Sequence, residues 1–148
     1  MKLIPFHREH LNLMDAREYE RDYLIPNLSG AFFDLAESRP HCYTMIADGR
    51  LISCIGVFPL WDGVWECWQI PSVYVHKYTK DYARTLRGIM DNAAERDNFR
   101  RIQTSAPDDE LHNRWMKFIG FECEGLMKEY SRTGVDYKMW ARRYNYGR

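Results

Sequence analysis

The sequence has 148 residues, 45% of them hydrophobic and 15% aromatic, with 21 Lys and Arg balanced by 21 Asp and Glu. That length suits a single domain, 1–148, able to fold without a metal or disulfide staple, and the hydrophobic share excludes a disordered chain. Zero net charge excludes a nucleic-acid binder that works through bulk charge, and with so many aromatics it points to a chain that associates with another protein or with itself.

Residues 2–7 read as a short strand. Residues 7–23 are charged, with Leu11, Met14, Tyr19 and Tyr23 spaced as on a surface helix. Pro26-Asn27 breaks it. Ser29 caps a second helix carrying Phe32, Phe33, Leu35 and Ala36, which Arg39-Pro40 ends. Strand 42–47 leads into the hairpin turn Asp48-Gly49. The run 51–60 is almost wholly apolar, as expected of a central strand covered on both faces. Asp62-Gly63 makes a second turn into strand 64–70, which Pro71 stops. Trp61, Trp65 and Trp68 cluster on this hairpin. Trp65 and Trp68 differ in parity and should face opposite sides, leaving room for a surface anchor.

The period then changes. Tyr82, Leu86, Ile89, Met90 and Ala93 line one face of a helix, with Thr79 as its expected N-cap. Residues 101–105 form a short strand. Pro107-Asp108 opens another helix, with Leu111, Trp115, Phe118 and Ile119 expected inward and Gly120 as C′ glycine. Two strands, 121–131 and 135–143, close the chain, with 143–148 a flexible basic tail. The predicted order is β-α-α-β-β-β-α-β-α-β-β, a mixed α/β fold around one twisted sheet.

No apolar run approaches the ~20 residues of a membrane-spanning helix, and residues 1–7 lack the apolar stretch of a signal peptide. Cys42, Cys54, Cys67 and Cys123 form no C-x-x-C pair and read as reduced, packed thiols. The histidines His7, His10, His41, His76 and His112 show no metal-ligand spacing, so no metal is expected. The helix after Thr79 carries Lys77, Lys80, Arg84 and Arg87 early and Asp91, Glu95 and Asp97 late, against its dipole. A bound anion would offset that arrangement, as would pairs of Arg84 and Arg87 with Asp91. The tail Arg142-Arg143-Tyr144-Asn145-Tyr146-Gly147-Arg148 interleaves cations with rings. With the basic helix it makes nucleic acid or a host protein an alternative partner.

The element order resembles the GNAT superfamily of N-acetyltransferases, most specifically at Trp115-Met116-Lys117-Phe118-Ile119-Gly120-Phe121, which is similar to the family's helix-four ending Tyr-x-x-x-Gly-Phe. The resemblance implies acetyl-CoA as cofactor, with its pyrophosphate at the start of the helix after strand four. The residues aligned there are Tyr78-Thr79-Lys80-Asp81-Tyr82-Ala83. Tyr78 replaces the leading Gln or Arg and Asp81 the first glycine, while Ala83 conforms. On this alignment Tyr78, Lys80, Tyr82, Ala83 and Arg84 are the candidate cofactor residues. The helix-four tyrosine that donates a proton in many members is here Met116. Glu66 matches the strand-four general base, and Tyr130 is the substitute acid.

A narrower likeness runs through Cys67-Trp68 to Ser72, His112-x-Arg114-Trp115-Met116-Lys117-x-Ile119-Gly120 and Glu129-Tyr130-x-Arg132-x-Gly134. These stretches resemble the internal virion protein A group of short-tailed phages, which shares the glycine-poor loop. This likeness implies an accessory or virion-associated protein with a degenerate acetyl-CoA site. Its partners would be virion or host proteins, and its place the host cytoplasm or the virion interior. The alternative is an active acetyl-CoA-dependent N-acetyltransferase with an unusual phosphate loop.

Overall fold

The computed structural model describes residues 1–145. Its elements are β1 (Lys2–Pro5), α1 (Glu9–Leu13), α2 (Gly30–Ser38), β2 (Cys42–Ala47), β3 (Arg50–Trp61), β4 (Val64–Pro71), α3 (Thr79–Asp97), β5 (Arg101–Pro107), α4 (Glu110–Phe118), β6 (Glu122–Met127) and β7 (Tyr137–Arg143). The strands form one seven-stranded mixed sheet in the order β1-β2-β3-β4-β5-β7-β6. The chain divides into two compact units, 1–58 with 68–85 and 59–67 with 86–148.

In the first unit, β1, β2 and β3 form an antiparallel meander. Asp48 and Gly49 take the positive φ values, 51° and 73°, that the β2–β3 turn requires. The middle of β3 is buried on both faces, as its apolar run predicts. Phe6, Leu11, Met14, Cys42, Cys54 and Ile70 form a core onto which Phe32 and Trp68 pack. The Ser29 side chain accepts from the Phe32 amide and so caps α2.

The expected single helix over 7–23 is broken. α1 ends at Leu13 because Met14 turns to extended backbone. Ala16 then bridges Ser72, and the Val73 amide donates to the Asp15 carbonyl at 2.9 Å. A π-helical turn, Glu20–Leu24, follows. It holds the buried Glu20 carboxylate against the Arg17 guanidinium. Long-range pairing to the end of β4 thus overrides the local helical period.

In the second unit, β4 runs parallel to β5 through Val64↔Arg101, Trp65↔Ile102 and Glu66↔Gln103, as a helical crossover demands. β5 pairs antiparallel with β7, and β7 with β6. Trp140, Phe99, Ile102, Met90, Met116 and Ile119 are fully or almost fully buried here. Trp65 stacks on Phe99 at 4.9 Å, whereas Trp68 meets Phe6 at 5.2 Å in the first unit. The opposite parity of the two tryptophans is therefore realised. Trp61, 63% exposed, stands out at the hairpin end.

Several expectations in this unit need correction. The cap of α4 is Asp109, whose carboxylate accepts from the His112 amide. Met116 of α4 is buried, as is Ile119 just past its end, the latter as expected, whereas Trp115 is only half-buried and Leu111 and Phe118 face outward. β6 and β7 are shorter than the apolar pattern suggests. Glu129 takes φ 52°, and the Tyr130 amide donates to the Val135 carbonyl, so the chain turns before both strands would end. Gly120 does adopt φ 94° as the C′ residue. The tail is tied down through Tyr144, whose amide donates to the Arg100 carbonyl and whose ring meets Phe99 edge-on. Tyr146, Gly147 and Arg148 lie outside the described residues. Cys42, Cys54 and Cys67 are buried and Cys123 is exposed, against its expected packing. Burial pushes the Cys42 and Cys54 thiols up to about 11, so both stay protonated at neutral pH.

Candidate functional site

The start of α3 lies in the first unit. A 3-10 turn, Val75–Tyr78, runs directly into Thr79 with no extended residue between them. The Thr79 hydroxyl donates to the His76 carbonyl, so it does not cap the helix as its position suggests. This geometry matters for an anion. A helix attracts a phosphate when its first amides point into open space. Here the carbonyls of a preceding helical turn stand ahead of the α3 amides. Asp81, in the first turn, adds a carboxylate where a diphosphate would need positive potential.

Each candidate cofactor residue can be placed against that entry. The Tyr78 hydroxyl is committed to Asp48 on the β2–β3 turn, a bond that also raises its pKa. Tyr82 and Ala83 are fully buried. The Tyr82 hydroxyl donates to Gln69 Oε1 at 2.8 Å and lies 3.0 Å from Ser53 Oγ, so it ties β3, β4 and α3 together. Lys80 is exposed. Arg84 pairs with Asp81 at 3.3 Å, not with Asp91. Asp91 pairs instead with Arg142, at 3.0 Å in the second unit. Two of the opposed charges on α3, Arg84 and Asp91, thus have partners within the chain, and with the Asp81 carboxylate at the helix entry these residues make a poor fit for a pyrophosphate. Tyr82→Phe is expected to cost about 1–2 kcal/mol, because a buried hydroxyl network loses its central member. Urea unfolding with an unchanged m-value checks it.

Glu66 lies in the second unit on β4, opposite Gln103 of β5. Burial pushes its carboxyl up to about 7, against the smaller lowering effects of a hydrogen bond to Gln103 and the nearby Arg101 charge. Arg101 Nε donates to Gln103 Oε1 at 2.8 Å, and its guanidinium grips Glu124 of β6 at 2.6 and 2.9 Å. The chain Glu66–Gln103–Arg101–Glu124 therefore crosses the sheet within one unit. A carboxyl poised near neutrality suits proton transfer in either direction. Sequence reasoning singled out Glu66 but missed Gln103 and Arg101. Their alternation along β5 is legible, but their register against β4 is not.

Tyr130 is not brought to Glu66. It is 55% exposed and packs on Tyr137, rings 5.3 Å apart. Tyr137 opposes Pro107, four residues along β5 from Gln103, or about 13 Å at the strand rise. Met116, at the helix-four position, is buried and has no proton to give. Among the described residues no group of His, Cys, Asp or Glu could hold a metal ion. No described helix is long and apolar enough to cross a membrane.

No protein-family model and no curated protein matches the chain. Solved structures do. An acetyltransferase of the GNAT family from Bacillus anthracis aligns over 95% of this chain and 93% of its own, at 12% identity and TM-score 0.71. Ard1 from Thermoplasma volcanium aligns over 97% of both chains at 12% identity and TM-score 0.74. RimL, a ribosomal L7/L12 alpha-N-protein acetyltransferase in complex with coenzyme A, aligns over 92% of this chain and 82% of its own, at 15% identity and TM-score 0.64. At such identities the likeness speaks for the fold alone. The seven-stranded mixed sheet with its helices is the GNAT fold.

Proposed function

We propose that this chain is a GNAT-fold accessory protein of a short-tailed phage. In this reading its acetyl-CoA site is degenerate, and it acts in the host cytoplasm or in the particle by associating with virion or host proteins. The observation that carries the reading is the entry to α3, where a 3-10 turn and the Asp81 carboxylate occupy the approach an anion would take. The hydrogen bond from Tyr78 to Asp48 adds to it, and so does the pairing of Arg84 with Asp81, which sets a carboxylate beside the cation a phosphate would seek. Buried Met116 removes the helix-four proton donor.

A second reading, an acetyl-CoA-dependent N-acetyltransferase, is favoured by Glu66. A half-protonated carboxyl on β4 would accept the proton of an acceptor amine. Calorimetric titration of the protein with acetyl-CoA separates the two. No heat of binding is expected even at millimolar ligand. Micromolar affinity would overturn the accessory reading in favour of the enzyme.

A further inference from the structure

Glu66, Gln103 and Arg101 share one face of the sheet in the second unit, since Glu66 opposes Gln103 in register and Arg101 lies two residues before it on β5. A glutamine amide has two unlike ends: Oε1 accepts and Nε2 donates. One rotation exchanges them, so a neighbour has to decide which end faces where. A guanidinium has no acceptor, and its Nε meets the oxygen end of Gln103 at 2.8 Å. The amino end is then left for Glu66, and the hydrogen bond with Gln103 favours the carboxylate that burial disfavours. Arg101 is itself held. Its two terminal nitrogens lie 2.9 and 2.6 Å from the two oxygens of Glu124 on β6. That two-pronged grip fixes the guanidinium plane and leaves Nε as the nitrogen that serves Gln103.

We propose that Glu124 on β6, acting through Arg101 and Gln103, holds Glu66 on β4 in its hydrogen-bond-accepting form. Glu124, Arg101 and Gln103 are positioning residues for Glu66. A neutral carboxyl offers an O–H donor, whereas a carboxylate offers acceptors alone. The form the fold keeps therefore decides whether a ligand on this face must bring acceptors or donors. With Glu124 in place it must bring donors. The charged side chain that acts on Glu66 is Arg101 of the neighbouring strand. Behind it, Arg143 of β7 opposes Arg101 in register and acts on Glu124.

A plain sum of charges gives Glu124 the opposite role. A second carboxylate nearby disfavours ionisation of Glu66, and it neutralises Arg101, the cation that favours it. Removing Glu124 would then let Glu66 ionise more readily. The relay requires the reverse. A released Arg101 no longer commits the Gln103 oxygen, the amide turns, and that oxygen accepts the proton of a neutral Glu66. A hydrogen bond to a charged group is strong enough to change proton affinity by about tenfold. Glu66, which burial pushes up to about 7, would go from about half ionised at pH 7 to about a tenth. The relay draws nothing from the α3 entry, so it stands or falls apart from the acetyl-CoA titration.

Titration of the Glu66 carboxyl carbon by NMR, in protein labelled at its glutamate side chains, tests it, with Glu66→Gln assigning the signal. Glu124→Ala is expected to raise the proton affinity of Glu66 by about tenfold. Glu124 is exposed, so this variant should melt as the wild type does. Arg101→Lys keeps the charge but cannot hold Glu124 and Gln103 at once, and it should move Glu66 in the same direction. In a Gln103→Met background the relay is gone, so adding Glu124→Ala should leave Glu66 unchanged or move it down. A Glu66 that is unmoved or ionises more readily in Glu124→Ala overturns the proposal. A wild-type titration in Arg101→Lys also overturns it and leaves charge alone as the cause. So does a further rise when Glu124→Ala is added to Gln103→Met.

Discussion

Glu66→Gln is expected to stabilise the protein at pH 8 and to remove most of a pH dependence present in the wild type. Burial lifts the Glu66 carboxyl from its ordinary 4.5 to about 7. The folded state therefore holds the proton more tightly than the unfolded chain does. The sign follows directly: stability is highest below the unfolded pKa, falls as pH rises from about 4.5 to about 7, and stays lower above that. Each pKa unit corresponds to 1.36 kcal/mol, so the loss is about 3 kcal/mol as an upper figure. Glutamine keeps the shape and the hydrogen bond toward Gln103 while carrying no charge. Urea unfolding of both proteins at pH 5 and pH 8 checks it. Parallel curves at the two pH values would show that Glu66 is not held neutral by burial.

Gly56→Ala should be among the most damaging single-methyl additions in the first unit. A Cβ at position 56 would lie 2.5 Å from Cys42 Sγ and 2.7 and 2.8 Å from Nε1 and Cε2 of Trp68. Neither neighbour can retreat. Cys42 is buried, and Trp68 is wedged between Phe6 at 5.2 Å and Phe32 at 5.1 Å. Overpacking of this kind costs about 1–3 kcal/mol and moves side chains off their rotamers. A lowered unfolding midpoint should come with a shift in tryptophan emission. Gly88→Ala in α3 is the control, since nothing stands within 4 Å of its added Cβ. It should be neutral or gain about 0.5–1 kcal/mol from helix propensity. Equal losses at both sites would mean that the Trp68 wedge is not the cause.

Much of the architecture is written locally. The Asp48-Gly49 and Asp62-Gly63 turns, the cap at Ser29 and the C′ glycine at Gly120 are decisions of a few adjacent atoms, and the structure realises them. The face of α3 was legible because one period of 3.6 runs through Tyr82, Leu86, Ile89, Met90 and Ala93, all of them buried. The candidate site was legible only in part. Glu66 could be named from its strand, but its environment depends on Arg101 and Gln103, which follow on a different strand after the whole of α3. The poor fit of Tyr78 to Ala83 for a phosphate was visible as composition. The 3-10 turn that closes the approach was not, because no residue in Val75–Tyr78 breaks or caps a helix.

The sequence by itself determined the order of elements, the turns and the side of α3 that is buried, since each rests on short-range sterics or on one unambiguous period. Only the tertiary structure decided which of two apolar arcs α4 buries, where the helix over 7–23 breaks, and that Tyr144 is held against Phe99. In each of these the local options are close in energy. Contacts from distant parts of the chain choose among them: the packing of Met116 in α4 and of Ile119 just past it, the Ala16–Ser72 bridge and the Arg100 carbonyl.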